Sequence, residues 1–235
     1  MAQRRHVAGS GGRALTVTFS LAGRCARTGQ LGAGTATSDI AVGSRVPHAR
    51  AGVGAILTQH RTDPRLGPRG LDLLQSGCEA DGAVRALVAS TPHNAWRQLA
   101  VVDSQGRAAA FSGSRVHPFL AEEFGDGCVV VGNMLAGKHV GSAMRRTFED
   151  SADEPLAERL LRALESGEAA GGEQMPVRSA ALVVVGDQLF PLVDLRVDLS
   201  DRPLADLRRT WAAYRPLVGE FVVRALDPDN AAVGR

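Results

Sequence analysis

Thr18 is the residue of this chain whose type and place could do chemistry. It lies in Leu15 to Ala22, Leu-Thr-Val-Thr-Phe-Ser-Leu-Ala, where hydroxyl and apolar residues alternate as on a strand half buried against a core. A threonine hydroxyl is a poor nucleophile until a base takes its proton. At the start of a chain, threonine carries that base itself, as an α-amine with a pKa of roughly 7.7–8.0. Within a chain, it is an ordinary strand hydroxyl. The segment before it, Met1 to Ala14, holds Gly9, Gly11, Gly12, Arg4, Arg5 and Arg13 with almost no apolar periodicity, and residues 1–16 read as a flexible lead. The cations are arginines apart from Lys138, a bias that fits a GC-rich genome, where a valine codon often serves as a start. The expectation is therefore that translation begins at Val17, read as Met, and that its removal exposes Thr18. A cleaved lead and a retained lead are the alternatives.

Other constellations are weaker. Gly132-x4-Gly137-Lys138 follows an apolar strand and precedes a helix, as a phosphate-cradling loop does, but His139 stands where a Ser or Thr should hold magnesium. Gly32/Gly34 and Gly52/Gly54 lack the third glycine of a dinucleotide fingerprint and read as packing glycines. His6, His48, His60, His93, His117 and His139 never take i, i+4 spacing, so no metal is expected. A G-x-S-x-G elbow is missing, which argues against an α/β-hydrolase. Polar residues gather at strand ends instead: Ser38 and Asp39, Gln59 to Thr62, Asn133, and Glu173 to Arg178.

With 235 residues and 44% apolar content the chain can build one continuous core, drawn from Ala, Val and Leu because aromatics are only 4%. The formal charge is +2 and Arg4, Arg5 and Arg13 precede Val17, leaving a near-neutral body that argues for neither nucleic acid nor a membrane surface. Cys25, Cys78 and Cys128 are odd in number and widely spaced, which points to the cytoplasm rather than to a disulfide framework. No apolar run approaches the ~18 residues of a membrane span.

Strand patterns at Leu15–Ala22, Leu31–Thr37, Ala51–Gln59, Gln98–Asp103, Ala108–Ser112, Cys128–Val131, Ser179–Val185 and Phe190–Val197 come mostly in adjacent pairs. Helical patterns also come in pairs: one opening at Gly67–Gly70 and one over Ala80–Ala89, then Val140–Phe148 and Leu156–Gly167. A last helix starts at Pro203, capped by Ser200 or Asp201. This order predicts an α+β fold, antiparallel sheets with helices layered on their outer faces. One domain over residues 17–226 and a loose tail over 227–235 follow.

Thr18-Phe19-Ser20-Leu21, Ala41-Val42-Gly43-x-x-Val46-Pro47-x-Ala49-Arg50-Ala51-Gly52-Val53-Gly54-Ala55, Thr58-Gln59, Pro64-x-x-Gly67-Pro68-Arg69-Gly70-Leu71, Gly132-Asn133-Met134-Leu135, Ala170-Gly171-Gly172, Ser179-Ala180-Ala181-Leu182 and Asp194-Leu195-Arg196-Val197-Asp198 together resemble the bacterial domain-of-unknown-function family 1028. That family is placed with the N-terminal nucleophile (Ntn) hydrolase-like proteins. The resemblance covers about Val17 to Leu207. It implies a four-layer αββα sandwich of two antiparallel sheets, and it aligns the family's initiating Met-Thr with Val17-Thr18. The chain departs from the family at Glu173, Pro176, Val177 and Arg178, at Leu199-Ser200, and at Asp63 and Leu66, all in polar loops.

By analogy of fold, the reading is a cytoplasmic amidohydrolase of a small amide-containing metabolite, with no cofactor. Thr18 would be the nucleophile. Ser20, Ser38, Asp39, Gln59, Asn133 and Arg178 are the candidates for orienting its amine or the substrate. A non-catalytic binding or accessory protein is the rival reading. The fold suggests a homodimer; nucleic acid and membrane are not expected as partners.

Overall fold

In a computed structural model of the chain, which describes residues 17–116 and 119–232, the opening segment forms strand β1 (Thr18–Arg24). The expected lead, the first two residues of the opening strand pattern, His6, His117 and the last three residues of the tail lie outside the described residues. β1 turns through Thr28 and Gly29 into β2 (Leu31–Thr37), with Thr18 paired to Thr37 and Arg24 to Leu31. The strands that follow are β3 (Pro47–Arg50), β4 (Gly54–His60), β5 (Arg97–Asp103), β6 (Ala108–Ser112), β7 (Ala121–Gly125), β8 (Cys128–Asn133), β9 (Ser179–Val185) and β10 (Val193–Val197). The helices are α1 (Leu66–Gln75), α2 (Ala80–Ala89), α3 (His139–Asp150), α4 (Leu156–Ala169), α5 (Pro203–Tyr214) and α6 (Val218–Leu226).

One sheet has six strands in the order β10-β9-β2-β1-β8-β7, the other four in the order β3-β4-β5-β6. Every pairing is antiparallel. Side chains alternate between faces along a strand, so β1 sends Phe19 and Leu21 one way and Ala22 the other. Phe19 and Leu21 pack with Met144 and Phe148 of α3 and Leu160 and Leu164 of α4. Ala22 joins Ala33, Val129, Val131 and Ala181 against Ala55, Leu57, Ala100 and Val102 of the smaller sheet. On that sheet's far side, Ile56 and Val101 meet Leu71 and Leu74 of α1 and Ala83 and Val84 of α2. The layers are thus α, β, β, α, the expected sandwich.

Small residues let these layers close. A Cβ added at Gly32 would lie 2.6 Å from the Val183 carbonyl oxygen and 3.1 Å from Leu160, so glycine in β2 is what allows α4 to lie against the strand. Gly32, Gly34 and Gly54 thus have the packing role read from the sequence, whereas Gly52, with φ of 69° and nothing within 4 Å of an added Cβ, is a turn glycine instead.

Three elements were not legible as such. β3 and β7 are edge strands, and β7 carries Glu122 and Glu123, the polarity that guards an exposed edge and masks a strand pattern. α6 buries no residue completely, so it shows no core-facing run of the kind that marks the other helices. The last strand starts at Val193, after Pro191, which has no N–H for a ladder. The residue that opens α5 is Arg202; Ser200 instead accepts the Arg202 N–H at 2.9 Å and donates to Asp206 at 2.6 Å.

Candidate active site around Thr18

β1 places Thr18, Ser20 and Ala22 on one face, and Ala22 faces the second sheet. The inner core between the sheets is therefore apolar along most of its length and turns polar at one end. Thr35 and Thr37 occupy the matching positions of β2, Asn133 ends β8 opposite Thr18, and Gln59 and Gln98 face each other where β4 ends and β5 begins. Thr18 is 3% exposed; Ser20, Thr35, Gln59, Gln98 and Asn133 are fully buried.

Buried polar groups must find one another, and these do so in one direction. The Ser20 hydroxyl donates to Gln59 Oε1 at 2.7 Å, so the Thr35 hydroxyl, also at 2.7 Å, is the one that donates to Ser20. Gln59 Nε2 donates to Gln98 Oε1 at 2.7 Å, and Asn133 Nδ2 donates to the same oxygen at 3.0 Å. Gln98 Nε2 then donates to Ser112 Oγ and the Gly132 carbonyl, each at 2.9 Å. The network ties β1 and β2 of one sheet through β4 and β5 of the other to β8.

Thr18 sits on a second, shorter chain of bonds. The Thr37 hydroxyl donates to the Val17 carbonyl, so the Thr18 hydroxyl, 3.1 Å away, donates to Thr37. The Asp39 N–H also donates to Thr37 Oγ1, at 3.3 Å. Ser38 Oγ accepts the Val17 N–H at 3.4 Å, and the Ser38 N–H donates to Glu173 Oε2 at 3.0 Å. Burial pushes the Glu173 carboxyl up to about 9, against the lowering effect of its bonds with Ser38. With Val17 seated beside it, itself 0% exposed, the Thr18 hydroxyl has no open path to a substrate.

Thus Thr18, Ser20, Gln59 and Asn133 come together at this end of the sandwich, with Ser38 at its edge. Asp39 turns its carboxylate away, to Arg45 at 2.9 Å and to the Ile40 N–H at 2.8 Å. Arg178 is exposed; only its backbone belongs to the site, donating to the Thr37 carbonyl at 2.8 Å. Thr35, Thr37 and Gln98 were not singled out from the sequence, and Glu173 stood only in a polar cluster and as a departure from the family, not among the site candidates. Thr35 and Thr37 repeat the i, i+2 hydroxyl spacing of Thr18 and Ser20, a signal that was available. Gln98 becomes visible only when the Gln59–Gln98 register is known.

The glycine-rich segment before α3 is not a phosphate cradle. Gly132 is a strand residue paired with Phe19 and Ala121, and the amides of Leu135 and Ala136 donate to Phe119 and Gly172 carbonyls. A phosphate loop needs such amides free. Among the described residues, no group of three or more His, Cys, Asp or Glu is placed to hold a metal. A cavity of about 390 Å³ lined by His48, Arg50, Val183, Pro191 and Asp194 opens where β3 meets β9, away from the network. Among the described residues no helix is long and apolar enough to cross a membrane.

The chain is similar to a crystallised DUF1028 protein from Silicibacter pomeroyi, with a TM-score of 0.79 and 30% identity over 84% of this chain and 89% of that one. It is also similar to Anbu, an ancestral β-subunit from Yersinia bercovieri, with a TM-score of 0.40 and 12% identity over 87% of this chain and 96% of that one, a likeness too distant to bear on function. No protein of curated function matches it. The family model that matches is described as a family of unknown function, and it spans residues 18–207. On that match, from the first residue of β1 into α5, the chain belongs to the DUF1028 family.

Proposed function

We propose that this protein is an Ntn-type hydrolase that cleaves a linear or cyclic amide bond of a small metabolite, with Thr18 as its N-terminal nucleophile. The observation that carries the reading is the Thr37 hydroxyl, bonded to the carbonyl just before Thr18 and within 3.1 Å of the Thr18 hydroxyl. In a chain that starts at Thr18 that carbonyl is gone, and Thr37 is left as a donor beside the nucleophile, where a substrate carbonyl would need one. The freed α-amine takes the Thr18 proton as Oγ1 attacks the substrate carbonyl; the amine leaving group departs with a proton as the C–N bond breaks. Water then hydrolyses the acyl-threonine ester, releasing the acid and restoring the hydroxyl. The Ser20–Gln59–Gln98–Asn133 network fixes the strand ends on which these groups stand.

The intact mass and N-terminal sequence of the protein from its native host test the first requirement: the reading expects a chain starting at Thr18. Thr18→Ala in that chain should then abolish turnover of a panel of small amides without unfolding it; retained turnover removes Thr18 from the mechanism. One observation favours the non-catalytic binding protein: with Val17 attached, the Thr18 nitrogen is an amide and its side chain is shut from solvent. A native chain starting at Met1 or Ala2 would make that reading the leading one.

A further inference from the structure

Glu173 is 8% exposed, and only one of its two carboxyl oxygens has a hydrogen-bond partner among the described residues. Gly171 and Gly172, with φ of 107° and 55°, turn the chain after α4, and the Gly172 carbonyl takes the Ala136 N–H at 3.0 Å. This sets Glu173 in a β-bridge with Leu135, two residues beyond Asn133. From there the carboxyl meets Ser38: Oε2 takes the Ser38 amide, and the Ser38 hydroxyl also acts on it. That same hydroxyl accepts the Val17 N–H. A single residue thus separates Glu173 from the backbone entering β1.

Two buried side-chain oxygens in this region have no hydrogen-bond partner among the described residues, Glu173 Oε1 and, in the strand position opposite Thr18, Asn133 Oδ1. Buried oxygens without a hydrogen-bond partner are rare and call for an explanation. In the intact chain the Thr18 nitrogen is an amide with one N–H. As the first atom of a chain it is an ammonium with three.

We propose that Glu173 is a positioning residue that receives the α-ammonium of Thr18, with Asn133 Oδ1 as a second acceptor, and so sets the orientation and basicity of that amine. The inference rests on Thr18 being the first residue. The ionisable groups on the surrounding elements leave the role open to Glu173: Asp39 is paired with Arg45, His139 of α3 is bonded to the Ala170 carbonyl, Glu168 of α4 is itself held up by burial and by Glu165, and Arg178 is exposed. Without a cation nearby, burial keeps the Glu173 carboxyl protonated up to about 9. An ammonium beside it favours the carboxylate, and the carboxylate in turn favours the ammonium.

The test uses a chain beginning at Thr18, which includes the residues of every described strand and helix. Reductive methylation with ¹³C-formaldehyde labels its amines, and because Lys138 is the one lysine, the spectrum holds the α-amine signal and a single internal control. Titrating both signals needs no substrate, so the result is independent of whether turnover is found. The α-amine midpoint is expected to fall by at least about one pH unit in Glu173→Gln, with Lys138 unmoved. Glu173→Asp, which keeps the charge and draws it back by one methylene, should give an intermediate midpoint and serves if the Gln variant does not fold. An α-amine midpoint that is the same in the parent and either folded variant overturns the proposal.

Discussion

Asn133 Nδ2 lies 3.0 Å from Gln98 Oε1, and this bond joins the last residue of a strand in one sheet to the second residue of a strand in the other. Gln98 accepts from two side chains and donates to Ser112 and the Gly132 carbonyl. A residue so placed acts as the joint of the polar end.

Gln98→Ala therefore leaves two amide donors and a carbonyl unpaired inside the sandwich as well as a cavity. The expected loss is about 3 kcal/mol in urea unfolding, with an unchanged m value. A loss under ~1 kcal/mol would mean that water takes over the freed bonds and that the joint is not structural.

Glu158 of α4, side chain 6% exposed, accepts Arg208 at 2.8 Å, Arg162 at 2.8 Å and the Trp211 indole N–H at 2.7 Å, holding α5 to α4. Burial alone would raise this carboxyl, but the bonds from Arg208, Trp211 and Arg162 outweigh it and hold it below the usual range. Its stabilising effect is present above the unfolded pKa and is lost as pH falls through the folded one. Glu158→Gln should cost about 3 kcal/mol at neutral pH and progressively less in acid. Equal penalties at pH 7 and at the acid limit would contradict the account.

Glu173 gives the opposite dependence. Its folded carboxyl titrates at about 9, well above its unfolded value, so the folded chain holds an extra proton between them. For the chain with Val17 attached, stability is fully present below the unfolded pKa and falls as pH rises toward 9. Melting curves from pH 5 to 9 should show this decline, on the order of a few kcal/mol, and Glu173→Gln should flatten it. Parallel curves for parent and variant would exclude Glu173 as its source.

ATP or GTP with magnesium should leave the melting temperature where it is, because the Leu135 and Ala136 amides are already committed to protein carbonyls. Binding raises stability by mass action, so a dose-dependent rise would reinstate a nucleotide site before α3.

Local pattern was enough to find most elements. The hydroxyl and apolar alternation of Thr18, Phe19, Ser20 and Leu21 is a property of a strand with two differently covered faces, and the leucines of α4 repeat at helical spacing because one side of that helix lies on β1 and β2. Of the four edge strands, β6 and β10 were legible and β3 and β7 were not; in β7 the polarity of Glu122 and Glu123, which guards the edge, masks the strand pattern.

The sequence by itself determined that hydroxyls and amides would collect at strand ends, since each such residue sits where its strand's period places it. It also marked Thr18 as the hydroxyl whose chemistry depends on whether anything precedes it. Only the tertiary structure decided which of these groups meet. Ser20 and Gln59 are separated by 39 positions and touch because two sheets lie face to face. Asp39 and Arg178, adjacent to the same strand ends, direct their charges elsewhere because water and Arg45 solvate them better than the sandwich would. Glu173 became a buried acid through the packing of the turn after α4 against Leu135 and Ser38, and burial is a property no local spacing encodes.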